Sequence, residues 1–563
     1  MNRFVLTVVL LAVLSACGGG GGGGGSNSSG SPTSTGSSGP SSGPGSSGPS
    51  SAPASSPPVP STATDVLTYK YDRSRSGQNT TESVLTLSNV NSATFGLLRN
   101  LPVDGKVDAE PLYAAKLSVG GVSHNVVFVA TENASVYAFD SDSGATLWKV
   151  SLLGSGETTS DAHGCDQVKP QIGITSTPVI DRNAGSHGAV FVVAMSEDAS
   201  AIYHQRMHAL DLTTGAELAG GPMEISATYN GTTFAPGQYE ERAALLLLNG
   251  TIYTSWTSHC DQGPYGGWIM AYSEASLAQT AVINVAVGAS GSGFASQGPA
   301  IWMSGGGPAA DAAGNIYLLT GNGAFETSLN ASGFPIGGDY GNSFLKLTST
   351  GNSLAVADYF ALSNGITESQ NDVDLGSGGI LLLPDVTDAN GTVRHLVVGA
   401  GKDGNLYIVN RDSMGKFSNS ANNIWQQLDG ALSGGIWATP AYFNNTVYYG
   451  PSGGTLRAFS ISNAQLTGVA TQTATSFPFP GTSPVVSANG TANAIIWAYE
   501  NASPAVLHAY DATNLAHELY NSNQAANGRD QFGAGNKFIA PTVADGKVFV
   551  ATTASVAVFG LLQ

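Results

Sequence analysis

Residues Val127 to Val150 read VFVATENASVYAFDSDSGATLWKV. Two alternating apolar runs lead into Ala138-Phe139-Asp140, a Ser143-Gly144 turn follows, and Trp148 closes the phrase. Alternation with a period of two is the mark of a half-buried strand, and Ser-Gly after an Asp marks a tight turn. The phrase returns as His208-Ala209-Leu210-Asp211 with Thr214-Gly215, and more weakly as Met270-Ala271-Tyr272 and Phe344-Leu345-Lys346-Leu347 with Gly351. Later echoes are Tyr407-Ile408-Val409-Asn410, Arg457-Ala458-Phe459-Ser460 and His508-Ala509-Tyr510-Asp511. A unit recurring at this interval, with no long amphipathic helical pattern between copies, is a repeated antiparallel blade.

The repeats predict an all-β fold, a single eight-bladed β-propeller of four-stranded antiparallel blades. Seven repeats lie between about residues 107 and 522. An eighth, Lys537 to Leu562, has inner strands but no outer one. Thr94 to Val103 (TFGLLRNLPV) has the character of the missing strand, so the ring is expected to close through this N-terminal strand beside the C-terminus. In each blade the small Ala lets neighbours approach, the Asp accepts turn N–H groups, and the Gly tolerates positive φ.

Ahead of the repeats stand two segments of a different kind. Arg3 and the apolar run Phe4 to Leu14 are too short to span a bilayer and read as a signal peptide, residues 1–16. The run ends in Leu14-Ser15-Ala16-Cys17, which resembles a bacterial lipobox and implies lipidation of Cys17. The other reading is an ordinary signal peptide followed by a chance Cys. Residues 17–64 are dominated by Gly, Ser, Pro, Thr and Ala, too poor in apolar side chains to offset the entropy of ordering, and are expected to be a tether of about 35–40 Å. The propeller is assigned to residues 65–563. The expected location is extracytoplasmic, held at a membrane through the lipid alone, on the bacterial outer membrane. Of 563 residues only 11% are charged, and the net charge of −18 argues against nucleic acid as a partner.

The phrase Ala-x-Asp-x-x-Ser/Thr-Gly-x-x-x-Trp at Ala138 to Trp148 resembles the repeat of pyrroloquinoline quinone (PQQ) propellers, and the resemblance covers nearly all of residues 65–563. Non-catalytic BamB-like scaffold lipoproteins share that repeat. Several further segments resemble the eight-bladed PQQ-dependent alcohol dehydrogenases. Ile301-Trp302 precedes the strand ending in Thr320-Gly321-Asn322, and the resemblance makes Trp302 the floor under the quinone and Asn322 a calcium ligand. Asn371-Asp372-Val373-Asp374 is similar to the segment carrying the catalytic Asp, matched by Asp372, which also binds calcium there. Gly401-Lys402-Asp403-Gly404 resembles the loop whose basic residue meets the quinone oxygens; Asp108, Thr175 and Trp437 fall where further cofactor contacts are expected. A quinoprotein of this kind uses PQQ and Ca²⁺, oxidises an alcohol or sugar, and passes electrons to an external acceptor. The alternative is a scaffold or a protein- or glycan-binding module with a vestigial funnel site.

The sequence also departs from that pattern. Where many of these dehydrogenases carry adjacent cysteines, His163-Gly164-Cys165-Asp166 has one, and Gln171-Ile172-Gly173 stands where an Arg is usual. The blade expected to supply a calcium-binding Glu reads Ser258-His259-Cys260-Asp261, leaving Asp261 as a substitute ligand. An exported chain with Cys165 and Cys260 left over favours a disulfide between them. The open alternative is a Zn or Cu site on His163, Cys165, His259 and Cys260.

Overall fold

The structure, a computed structural model, describes residues 64–165, 168–289 and 293–563. The expected signal peptide, the expected lipidation site Cys17 and all but the last residue of the expected tether lie outside the described residues.

Eight sheets of four or more strands follow one another along the chain among the described residues, giving the expected all-β, eight-bladed propeller. The first blade is Leu112–Val119, Val122–Ala130, Ser135–Asp140 and Thr146–Ser151, each strand antiparallel to the next. Every repeat phrase falls on the third strand of its blade, as in Tyr203–Asp211, Trp268–Ser273 and Val506–Asp511. Two sheets exceed the simple pattern. The second continues into Thr158–Asp161 and Gln171–Ile172, and the seventh gains the parallel strand Gln78–Asn79. The eighth combines Thr542–Ala544, Lys547–Ala551 and Ser555–Leu561 with Phe95–Pro102, which lies antiparallel to Ser555–Leu561.

The repeat residues act as the turn chemistry requires. Asp140 Oδ1 accepts from the Ser143 backbone N–H at 2.6 Å and its hydroxyl at 2.7 Å. Asp211 does the same with Thr213 and Thr214. Trp148 reaches out of its own blade, and its Nε1 donates to Leu212 O at 3.0 Å. Gly215 has φ +70°, and a Cβ there would lie 2.6 Å from the Trp148 ring, so this position needs glycine for backbone and for space alike.

The segment that opens the described residues contacts every blade. Val66 bridges Tyr113 of the first, and Leu67 O accepts from Ile180 N of the second. Arg75 donates to Leu245 O beside the third blade at 3.1 Å. Arg73 O, Ser74 O, Ser76 O and Gly77 O accept from Ala310, Leu382, Tyr442 and Val486, on the innermost strands of blades four to seven. Asn79 Nδ2 donates to Val543 O of the eighth at 3.0 Å. Residues 66–79 thus touch all eight blades, and the carbonyls of Leu67, Arg73, Ser74, Ser76 and Gly77 are satisfied by inner-strand amides.

Candidate functional site

The loops that lead into the innermost strands meet at one end of the propeller and enclose a cavity of about 350 Å³. Asp108 precedes the inner strand of the first blade, Arg242 that of the third, Trp302 the fourth, Asp372 and Asp374 the fifth, Trp437 the sixth and Phe538 the eighth. Cys165, Glu240, Cys260, Asp261, Lys402 and Phe479 also line it. A site on the entry loops of a rigid ring draws side chains from positions far apart in sequence. Several of these side chains sit on left-handed backbone: Cys260, Asp261, Asp372 and Phe538 have φ between 47° and 64°. For non-glycine residues that conformation is costly and clusters at functional sites.

Lys402 is the electrostatic centre of one wall. Its Nζ lies 2.6 Å from Asp372 Oδ1 and 2.9 Å from Asp374 Oδ2, and 5.9 Å from the centre of the Trp437 ring. Burial works against its charge, but Asp374 and Asp372 outweigh that and hold its pKa above the ordinary value. At Asp374 burial dominates and raises the carboxyl despite the lysine. Asn322 sits behind this pair; its Nδ2 donates to Asp372 Oδ1 at 2.8 Å and its backbone N–H donates to Asp374. The aromatic wall follows: Trp437 meets Phe479 edge-on at 5.4 Å, and Trp302 meets Phe538 edge-on at 6.0 Å.

Cys165 and Cys260 form a disulfide with a Cα–Cα separation of 5.5 Å, and both line the cavity. This closes the alternative of a thiolate metal site, because neither sulfur is free to ligate. The flanking His163 and His259 stack at 4.1 Å instead, and burial pushes the His259 pKa down to about 3, so that ring is neutral.

Of the residues expected from sequence, Asp108, Asp261, Trp302, Asp372, Lys402 and Trp437 line the one cavity, and Asn322 bonds to Asp372 from behind. Thr175 was expected to touch a cofactor and instead lies one layer back; its hydroxyl donates to Glu132 Oε2 at 3.1 Å. Glu240 and Arg242 line the cavity unforeseen. The signal for them was Tyr239-Glu240-Glu241-Arg242, a charged run entering an inner strand of a chain poor in charge.

The lining suits an anionic, planar group on one count and a divalent cation poorly. Arg242 Nη2 is buried without a hydrogen-bond partner, which leaves a donor for an anionic oxygen, and Trp302 and the disulfide offer flat apolar surface. The expected calcium ligands Asp261, Asn322 and Asp372 do not form a cation site as placed. Asn322 turns its amide N–H toward Asp372, Lys402 occupies the same carboxylate, and Asp261 Oδ1 accepts from Tyr265 at 2.8 Å. Among the described residues no three His, Cys, Asp or Glu side chains are gathered to hold a metal.

No protein-family model and no curated protein matches the chain. Solved structures do. The quinohemoprotein alcohol dehydrogenase of Comamonas testosteroni superposes with a TM-score of 0.58 at 15% identity, over 88% of this chain and 80% of that one. That of Pseudomonas putida HK5 gives 0.58 at 14% identity over the same shares. A europium-containing methanol dehydrogenase gives 0.54 at 12% identity, over 88% of this chain and 98% of that one. At these identities the likeness is one of fold. No helix among the described residues is long and apolar enough to cross a membrane.

Proposed function

We propose that the cavity holds a quinone cofactor of the PQQ kind and that the protein is an extracytoplasmic oxidoreductase, lipid-anchored through Cys17, acting on an alcohol or sugar. The observation that carries this reading is the meeting of Trp302, Asp372, Lys402 and Trp437, from four separate loops, in one cavity with the Cys165–Cys260 bridge. When bound, an ortho-quinone supplies two-electron acceptance from a carbinol carbon. Trp302 and the disulfide offer it apolar faces. Lys402 and the unpartnered Arg242 Nη2 supply positive charge for its anionic oxygens. Asp372, 47% exposed at its side chain and open to the cavity, is the base for the substrate hydroxyl proton. No step is assigned to a metal.

The test is incubation of the purified protein with PQQ, in parallel with Ca²⁺ and with a chelator, followed by absorbance and dye-linked oxidation of alcohols and sugars. Bound quinone with dye reduction is expected. The reading fails if no quinone is retained and no dye is reduced across the panel.

One observation favours a second reading, a non-catalytic propeller that binds a protein or glycan. The carboxylates Asp108, Glu240, Asp261, Asp372 and Asp374 outnumber Lys402 and Arg242 in the lining, which opposes a polyanionic cofactor. Glycan binding without quinone binding would decide for it.

A further inference from the structure

Behind the cavity wall the Asp108 and Glu132 carboxyls interact, and the cation beside them, Lys106, is paired with Asp108. Asp108 faces the cavity, and Glu132 stands behind it with 0% exposure. Glu132 Oε2 is already satisfied, accepting from Gly173 N at 2.8 Å and from the Thr175 hydroxyl at 3.1 Å. Glu132 Oε1 is buried and receives no donor, and neither does Asp108 Oδ2 in hydrogen-bond alignment. Asp108 Oδ1 accepts from Asn536 Nδ2 at 3.0 Å, and Lys106 Nζ approaches Asp108 Oδ2 at 3.0 Å as an ion pair. A buried carboxylate oxygen with no donor is costly, and two adjoining carboxylates do not both ionise. Both difficulties vanish if Glu132 Oε1 carries a proton and donates it to Asp108.

We propose that Asp108 and Glu132 share one proton, carried on Glu132 Oε1, and that the pair exchanges protons with the cavity through Asp108. The electrostatics agree: burial and then Asp108 push Glu132 well above the ordinary carboxylate range, while Lys106, Glu132 and Arg242 together hold Asp108 below it against burial. The other titratable groups facing Asp108 are Glu240, whose charge would disfavour a second negative charge there, and Tyr499, whose phenol is held neutral by burial and by Asp108. The shared proton stands independently of the proposed activity; its use rests on it. Oxidation of a hydroxyl carbon to a carbonyl releases two electrons and two protons. A bound quinone would accept the electrons for transfer to an external carrier, and both protons would then have to leave the cavity. Asp108 takes one at a time, making two neutral carboxyls of the pair, and gives it up again. Glu132 acts through Asp108 and is a positioning residue.

The test is infrared spectroscopy of the folded secreted protein and of Glu132→Gln and Asp108→Asn. Gln retains an oxygen for Gly173 and Thr175 and a donor for Asp108, so E132Q preserves the packing. A protonated-carboxyl C=O band is expected in the wild type at neutral pH, shifted in D₂O, and missing from the E132Q difference spectrum. D108N is expected to shift it. An unchanged band in both variants overturns the proposal. Dye-linked oxidation by the quinone-loaded protein is measured alongside. A pH profile displaced by one unit or more in E132Q, with KM unchanged, supports the relay; an identical profile overturns it. A band lost in E132Q from a protein that oxidises nothing keeps the shared proton and removes the dehydrogenase reading instead.

Discussion

The Lys402 ammonium lies 2.6 Å from Asp372 Oδ1, so the residue expected to act as base is ion-paired before any ligand arrives. The same ammonium is the partner of the buried Asp374. Removing it therefore has two separable effects. Lys402→Met is expected to weaken quinone binding by tenfold or more, read by titration of tryptophan fluorescence, because an anionic oxygen loses its counter-charge. It also leaves Asp374 without a cation, and its already raised pKa climbs further. A carboxyl whose folded pKa lies above its unfolded value stabilises the fold below the unfolded pKa and loses that contribution as pH rises through the folded one. The melting temperature of K402M should accordingly fall further behind the wild type between pH 4 and pH 8. Asp372→Asn, by contrast, should keep quinone binding and lose at least a hundredfold in oxidation rate.

The Cys165–Cys260 bridge joins positions 95 residues apart, so it restrains a large part of the unfolded chain. Opening it with a reductant, or with Cys165→Ser and Cys260→Ser together, should cost about 2–4 kcal/mol in denaturant unfolding. Quinone affinity should fall as well, since both sulfurs line the cavity. Peptide mapping without reductant should recover the linked pair. Unchanged stability after reduction would show that the restraint has no weight.

Arg75 is 1% exposed and donates to Pro308 O at 3.0 Å, Leu245 O at 3.1 Å, Tyr69 O at 3.0 Å and the Thr68 hydroxyl at 2.8 Å. Arg75→Met deprives those acceptors of their donor and should destabilise by about 3 kcal/mol or more. Because residues 66–79 touch every blade, the variant should also become sensitive to proteolysis in that segment before it unfolds globally. Equal protease resistance would argue that the segment is not a clasp.

His508 lies in the seventh blade, buried between Glu518, 2.7 Å from its Nδ1, and Glu500, 3.1 Å from its Nε2. Burial lowers its pKa, but the bonds to Glu500 and Glu518 outweigh that and raise it above about 6.5. Its contribution is therefore complete below pH 6.5 and is lost as pH rises through the higher folded value. Wild-type stability should decline across that window, and His508→Gln should flatten the decline. Parallel pH curves for the two proteins would remove His508 as its source.

Much of the architecture was legible because the repeat carries its own structural chemistry. Asp140 and Asp211 cap the turns that follow them, and Trp148 fills the space that Gly215 leaves open; each is a local rule written once per blade. The candidate site was legible only in part. Trp302, Asp372, Lys402 and Trp437 are legible in their segments, whereas Thr175, expected as a cofactor contact, lies behind the cavity wall. Glu240 and Arg242 carry only the signal of a charged run before an inner strand, and nothing around Glu132 says which way it faces.

The segment of residues 66–79 left no pattern at all. YKYDRSRSGQN, residues 69–79, looks like a polar loop, because many of its hydrogen-bond partners are backbone groups spread from Leu245 to Val543. The sequence by itself determined the blade, its turns and its number of copies, because strand period and turn chemistry act over a few neighbouring residues. Only the tertiary structure decided that Cys165 meets Cys260, that Lys402 lies against Asp372 and Asp374, and that Glu132 stands against Asp108. Those pairings depend on how the blades pack about the axis, a relation between distant segments that no local pattern encodes.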